Sequence, residues 1–360
     1  MKKNDRIKMG VLMPSIYIGG GELATLFAVQ QTDLNRISWE IVVVTEDWKD
    51  DNLLASFSNH TRVFYKNRCY YKGDSWDMTL EQAMQILKNC DGVIAWELDE
   101  KRSKLFNACL GKKIYWIFRH DEKHKLYTKP NHILLTCEEA CIKNFGDVGE
   151  REVFIIPSSI DLNHCVSAIS RKEIRSRWNI NDEVVVGYLG RMDKNKNIPA
   201  IARAVYGQEN YVAMCFGERN WQSADVLKEI EQLCGPNFRW NDPIFNVGDA
   251  LKGFDVLMLP SYSEVFSLTL LEAWANRIPV VCTNVGAVPN LQKKFGKICV
   301  IIEQQDSGEV IRERIREAMA DCAMVERAFN MVMEFFTPTI VSKKWNEFII
   351  NIVRSESDDT

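Results

Sequence analysis

"EVVVGYLG", residues 183–190, is an apolar run with three consecutive valines and no alternation of polar residues. Such a run marks a strand buried on both faces of a parallel sheet. Gly190 ends it, the basic loop "RMDKNKN" (191–197) follows, and a helix starts at about Ile198. Strand "YVAMCFGE" (211–218) completes a strand–helix–strand unit. The alternation continues toward the C-terminus. It runs through a helix near 223–234, strand "DVLMLP" (255–260), helix "LTLLEAWANR", strand "IPVVCTN" (278–284), strand "KICVIIE" and a long helix over about 308–333. A last amphipathic segment, "PTIVSKKWNEFIINIV", ends the chain.

The same alternation occurs once more on the N-terminal side. "IKMGVLMP" (7–14) reads as a buried strand, followed by a glycine loop and helix "ELATLFAVQQ". "WEIVVVTE" (39–46), "DGVIAWE" (91–97), "KKIYWIFR" (112–119), "HILLTC" (132–137) and "EVFIIPSSID" (152–161) are further strands. Two successive series predict an α/β protein of two doubly wound, Rossmann-like domains. The expected division is 1–162, then 163–337, then a C-terminal helix over 338–360 that packs back on the first domain and ends in a frayed tail. Two such domains facing one another would set the C-terminal ends of both sheets against a central cleft, where ligands bind.

The bulk numbers agree with a soluble globular protein. The chain has 360 residues, 46% of them hydrophobic and 26% charged, and a net charge of -4. Split at residue 160, the first part has 22 basic and 22 acidic residues and the second 23 and 27, so neither half is globally basic. That disfavours a dedicated nucleic-acid binder but leaves room for a local basic patch. No apolar run is long enough to span a bilayer, and Asp5 and Pro14 spoil a signal-peptide reading of the basic start. The expected location is cytoplasmic, with peripheral membrane contact left open. The 11 cysteines include no C-x2-C pair, which suits buried thiols better than a zinc site.

Four motifs carry chemistry. In "PSYSEVFSLTLLEA" (260–273), Glu264 and Glu272 flank the place where a strand ends and a helix begins, near Ser267 or Thr269. The free N–H groups and dipole of that helix start make an anion site, and a phosphate is the obvious guest. Carboxylates repel phosphate but accept hydrogen bonds from vicinal hydroxyls. Two of them beside a phosphate site suggest a ligand with hydroxyls on both sides of a diphosphate, as in a nucleotide-sugar. In "GYLGRMDKNKN" (187–197), Arg191 and Lys196 could grip and neutralise that diphosphate as it leaves, although the motif taken alone reads better as a solvated basic loop. "SIYIGGGELA" (15–24) lets backbone approach a ligand through Gly20 and Gly21, or is simply a structural turn; its spacing is not that of a dinucleotide site. "WIFRHDEKHK" (116–125) sets Arg119 and His120 at a strand's carboxyl end, with a plain loop histidine as the alternative.

Taken together, "GRMDKNKN" followed by "LPSYSEVFSLTLLEAWANRIPVVCTNVGAVPNL" resembles the retaining family-4 glycosyltransferases of GT-B fold, the group 1 glycosyl transferases. The resemblance is specific over about 183–295 and weaker over 8–30 and 112–162, where "IIPSSIDLNHC" stands in for the family's hinge segment. It implies that Glu264 holds the donor sugar's hydroxyls and Glu272 the ribose diol. Arg191 and Lys196 are similar to the diphosphate-binding pair, Gly20 and Gly21 to the loop beside the distal phosphate, and His120 to the histidine near the sugar. Thr269 and Leu270 would bind phosphate at the helix start, and Gly190, Phe266, Ser267 and Leu268 complete the donor-binding set. The resemblance implies transfer with retention, by front-face attack and domain closure, with no cofactor and no metal. Val265-Phe266-Ser267 replaces the family's Gly-Phe-Gly, and Ser158-Ser159 its Asn-Gly.

The acceptor is legible in outline only. "FYKNRCYYKGDSW" (64–76) and "KKIYWIFRHDEKHKLYTK" (112–129) mix basic and aromatic residues. They suit a glycan or lipid-linked glycan at a membrane surface, or DNA carrying a hydroxylated base; core aromatics beneath a solvated basic face fit as well. A nucleotide-sugar-binding subunit without activity is the non-enzyme alternative. The pattern points to no obligate protein partner.

Overall fold

The computed structural model describes residues 6–16, 20–44, 50–96, 114–118, 132–135, 152–219, 222–233, 235–244 and 246–357. The chain divides into two compact units, Met1–Ser159 with Pro338–Thr360, and Ile160–Thr337.

The first unit is built on a nine-stranded sheet in the order β5-β4-β3-β2-β1-β6-β7-β8-β9. β1 (Ile7–Met13) lies parallel to β2 (Ile37–Val43) and to β6 (Gly92–Trp96), with Val11 opposite both Ile41 and Ile94. β7 (Ile114–Phe118), β8 (His132–Leu135) and β9 (Glu152–Ile155) continue the parallel side. The apolar runs form these strands because both faces are covered. Leu12, Val42 and Phe64 meet Met84 and Leu87 of the Leu80–Lys88 helix in one buried cluster. That helix is started by a capping box between Thr79 and Gln82, which satisfies two end N–H groups reciprocally.

The other edge differs from the sequence expectation. The run 64–76, read there as a basic and aromatic patch, is part of three short strands: β3 (Arg62–Tyr65), β4 (Arg68–Tyr71) and β5 (Asp74–Asp77), paired antiparallel. Two tight turns join them, at Lys66-Asn67 (φ 49 and 58) and Lys72-Gly73 (φ 49 and 86). Positive φ at both central positions matches the twist of a two-residue hairpin. Strands of four residues are too short to show a period, which is why the pattern did not reveal them. Tyr65 and Cys69 are buried and Trp76 is exposed. The lysines at the turns lie over the preceding tyrosines, Lys66 at 5.5 Å from the Tyr65 ring and Lys72 at 5.2 Å from that of Tyr71.

The second unit has a six-stranded, wholly parallel sheet in the order β12-β11-β10-β13-β14-β15. These are β10 (Val184–Leu189), β11 (Tyr211–Phe216), β12 (Phe238–Asn241), β13 (Val256–Leu259), β14 (Val280–Cys282) and β15 (Val300–Ile301). β12 was not foreseen; it is four residues long and only half-buried, so it lacks a continuous apolar signal. The long helix expected over 308–333 is two helices, Gly308–Ala320 and Cys322–Phe335. Asp321 divides them: its side chain accepts from Met324 N and starts the second helix. The chain order reverses between β10 and β13, and loops leaving such a switch point diverge to open a crevice at the strands' carboxyl ends. The final helix, Pro338–Ser357, belongs to the first unit.

Candidate functional site

The loops after β10 and β13 of the second unit carry most of the residues singled out above. Gly190 leaves β10 with φ 153 and its N–H donates to Phe216 O at 3.0 Å. A Cβ on Gly217 would lie 1.7 Å from the Gly190 carbonyl oxygen, so the absence of a side chain at Gly217 lets the backbone leaving β11 pack directly on the backbone leaving β10. Tyr188 is buried beneath, donating its hydroxyl to Arg191 O at 2.9 Å. Burial of that phenol pushes its pKa well above the ordinary value.

The two basic and acidic motifs are zipped together. Tyr262 N donates to Asn195 O at 2.8 Å and Asn195 Nδ2 to Ser263 O at 2.7 Å. Asn197 takes the left-handed conformation (φ 49) and its amide donates to Gln304 O at 3.0 Å. This brings Lys196 Nζ to 2.7 Å from Glu264 Oε1, and the Ser261 hydroxyl donates to the same oxygen at 2.7 Å. Both side chains of the pair are mostly shielded, at 17% and 15% exposure. Arg191 is more open, with Nε at 3.5 Å from Asp193 Oδ2. Asp193 is buried, and its Oδ1 has no hydrogen-bond partner among the described residues.

The helix Leu268–Ala275 starts at the mouth of this site. Ser267 is its N-cap residue with extended backbone (φ -78, ψ 118), yet its side chain makes no capping hydrogen bond. The first-turn N–H groups, Leu268 to Leu270, are therefore not closed off by Ser267. Thr269 points its hydroxyl back to Leu189 O at 3.4 Å, while Leu268 and Leu270 are buried. Phe266 packs its ring on Phe336 at 5.4 Å. A pocket behind Glu264 is lined by Val265, Phe266, Ser267, Trp274 and Thr283. The turn 283–287 supports it: Ala287 N donates to Val265 O at 2.9 Å.

One helical turn further, Glu272 is buried at 5% exposure. Burial pushes its carboxyl pKa up to about 7. Its Oε1 lies 3.9 Å from Nε2 of His164, also buried. His164 sits in the short helix Leu162–Cys165, started by Asp161, which accepts from Asn163 N at 2.9 Å. Burial lowers the imidazole pKa, and the Asp161 charge works against that shift. Asn276 fastens the two helices together, donating to Cys165 O at 3.0 Å. Sequence reasoning passed over His164, although the stretch containing it had been aligned with the family hinge segment. A lone histidine in a four-residue helix has no signal of its own; only packing shows that it faces Glu272.

Of the first-unit candidates, Gly20 and Gly21 lie in the first turn of the Gly20–Gln31 helix rather than in the loop before it. Glu22, next along, is buried and accepts from the Ser15 hydroxyl at 3.2 Å. His120 and Arg119 lie outside the described residues. Among the described residues, no group of three or more His, Cys, Asp or Glu side chains could hold a metal ion, and no helix is long and apolar enough to cross a membrane.

Residues 170–330 match the family model described as glycosyl transferases group 1. A Bacillus subtilis (strain 168) protein named as a teichuronic acid biosynthesis glycosyltransferase, TuaC, is 31% identical over 148 residues, 41% of this chain and 36% of that one. An Escherichia coli UDP-Gal:alpha-D-GlcNAc-diphosphoundecaprenol alpha-1,3-galactosyltransferase is 28% identical over 165 residues, 41% of each chain. The matched stretches thus span less than half the length of these relatives. The crystal structure of Anabaena Alr3699/HepE in complex with UDP-glucose superimposes with a TM-score of 0.76 at 16% identity, covering 96% of this chain and all of that one. The fold is GT-B, with two Rossmann-like α/β domains.

Proposed function

We propose that this protein is a retaining glycosyltransferase that moves a sugar from a nucleoside-diphosphate donor to a hydroxyl of a glycan or lipid-linked glycan. The observation that carries the reading is the arrangement of Glu264, Lys196 and Glu272 around an uncapped helix start. Glu272 would accept the ribose diol. The first-turn N–H groups, with Arg191, would hold the diphosphate. Glu264 would accept hydroxyls of the transferred sugar. Lys196 has three N–H donors, so it can keep Glu264 and take a phosphate oxygen at once. Its charge between the two also removes the repulsion that a carboxylate beside a diphosphate would otherwise bring.

In the reaction, the bond between the sugar's anomeric carbon and the diphosphate oxygen breaks. A bond from the acceptor oxygen forms on the same face of the ring. The acceptor's proton passes to the departing diphosphate, whose charge Arg191 and Lys196 stabilise. This assignment gives no step to a metal. The donor class is supported by the UDP-glucose complex of the Anabaena neighbour, and the acceptor class by the diphosphoundecaprenol-linked substrate in the name of the Escherichia coli relative. Transfer to a hydroxylated base in DNA draws less support, since Lys66 and Lys72 are engaged with their own tyrosines.

The test is thermal stabilisation by UDP-, GDP-, ADP- and TDP-sugars and by the free diphosphates, followed by donor hydrolysis and transfer assays. A ligand that binds only the folded chain raises the melting temperature, by the equivalent of about 2.7 kcal/mol at a hundredfold excess over Kd. A shift with one nucleotide, accompanied by turnover, is the expected result. A shift without hydrolysis or transfer would favour a non-catalytic nucleotide-sugar-binding subunit, in line with the Val265-Phe266-Ser267 departure. No shift at millimolar ligand would overturn the donor site.

A further inference from the structure

The buried pair of His164 and Glu272 is not explained by donor binding alone. A carboxylate that only had to accept two ribose hydroxyls would need no imidazole behind it. His164 Nε2 stands 3.9 Å from Glu272 Oε1, both side chains are about 5% exposed, and the helices that carry them are tied by the Asn276 to Cys165 hydrogen bond. We infer that His164 is the proton partner of Glu272: when a ribose diol occupies the Glu272 carboxylate, the proton on Glu272 moves to His164 Nε2. The inference rests on the donor-site reading above and adds a regulated proton to it.

The step is balanced within the pair. As the pair closes from 3.9 Å to hydrogen-bond distance, the O–H bond at Glu272 breaks, an N–H bond at His164 Nε2 forms, and no proton is exchanged with solvent. The physical drive is solvation. A buried carboxyl with no diol against it favours the neutral acid, and burial holds the empty-site carboxyl near pKa 7. Two hydroxyl donors stabilise the anion instead, and a buried anion is tolerated when a cation faces it. The surrounding charges permit this. Asp161, on the same short helix, favours the imidazolium. Cys165 beside it is neutral, its thiol pushed up to about 12 by burial and the Glu272 charge. On the Gly248–Gly253 helix packed against it, Asp249 is bonded to the Ser167 hydroxyl, and Lys252 carries the other charge. From the Cys322–Phe335 helix, Glu326 is paired with Arg277 at 2.6 Å, and Arg327 and Glu334 are the remaining charges. Cys282 on β14 is neutral. His164 is thus a positioning residue: it acts on the donor through Glu272.

The decisive experiment measures protons on binding. UDP is titrated into the full chain at pH 7 in two buffers of different ionisation enthalpy, for the native protein and for His164→Gln. The native protein should bind UDP with no net proton released. His164→Gln should release about half a proton, because its half-protonated Glu272 has nowhere but solvent to send it. In parallel, the His164 ring resonances of the native protein should move about halfway toward the imidazolium position on UDP addition at pH 7, which needs no variant to fold. Equal proton release from both proteins, or a ring that stays neutral in the complex, would overturn the inference while leaving the donor site intact. Absence of binding by UDP and by the other diphosphates would overturn the donor-site reading and this inference with it.

Discussion

At the residue scale, Glu272 sets function against stability. Its ordinary carboxyl pKa of 4.5 is raised to about 7 in the folded, empty protein. Between those values the folded chain keeps a proton that the unfolded chain has lost. Stability therefore falls as pH rises through that window and stays low above it. The loss is about 3 kcal/mol in total. His164 works in the opposite sense: its lowered pKa means that acid, not base, removes stability through it. Glu272→Gln carries no charge at any pH. Urea denaturation should show the variant more stable than the native protein at pH 8, by up to about 3 kcal/mol, and little different near pH 4.5. A difference that is the same at both pH values would contradict the burial argument. The variant should also lose affinity for diphosphates, since one diol acceptor is gone.

At the scale of elements, the site depends on loops held in register by backbone contacts. Gly286 has φ 60, and a Cβ there would meet Val265 O at 2.6 Å and Glu264 O at 2.7 Å. Gly286→Ala therefore pushes on the loop that aims Glu264, while Glu272 sits a helical turn away. Strain of this kind costs about 1–3 kcal/mol. A thermal melt should fall accordingly, and transfer should drop by at least about tenfold (a displacement of about 1 Å can cost more). Free-diphosphate binding should change much less. Parallel losses in transfer and diphosphate affinity would show that the turn supports the whole site rather than the sugar loop. The Asn195 and Asn197 contacts act in the same way on the other side, holding Lys196 against Glu264.

At the scale of the whole molecule, the chain returns to its first unit after completing the second. In the Pro338–Ser357 helix, Trp345 and Phe348 are buried. Trp345 meets Trp39 edge-on at 6.5 Å, Phe348 meets Phe154 at 5.0 Å, and Asn346 Oδ1 accepts from Asp33 N at 2.9 Å. Trp345→Ala should destabilise the first unit by about 3–5 kcal/mol. Calorimetry should then resolve an earlier transition for that unit, while UDP still raises the melting of residues 160–337. A UDP-induced shift that disappears with Trp345 would mean that the units do not melt separately.

The fold class was legible because parallel sheets covered on both faces need unbroken β-branched runs such as 183–190. Any sequence that makes them declares its buried strands. Glu264, Arg191 and Lys196 stood out as charges in the loops that follow buried strands, and Glu272 as a carboxylate in an otherwise apolar helix. The short pieces escaped notice. β3 to β5 and β12 have four residues each, and Asp321 splits a helix whose amphipathic period runs straight through it. Pairing across the chain was decided by tertiary structure alone. Lys196 reaches Glu264 over 68 positions, and His164 faces Glu272 from a segment more than a hundred residues earlier. Side-chain chemistry is written locally in a sequence. The partner that shifts a pKa or neutralises a charge depends on which strand ends the sheet order brings together.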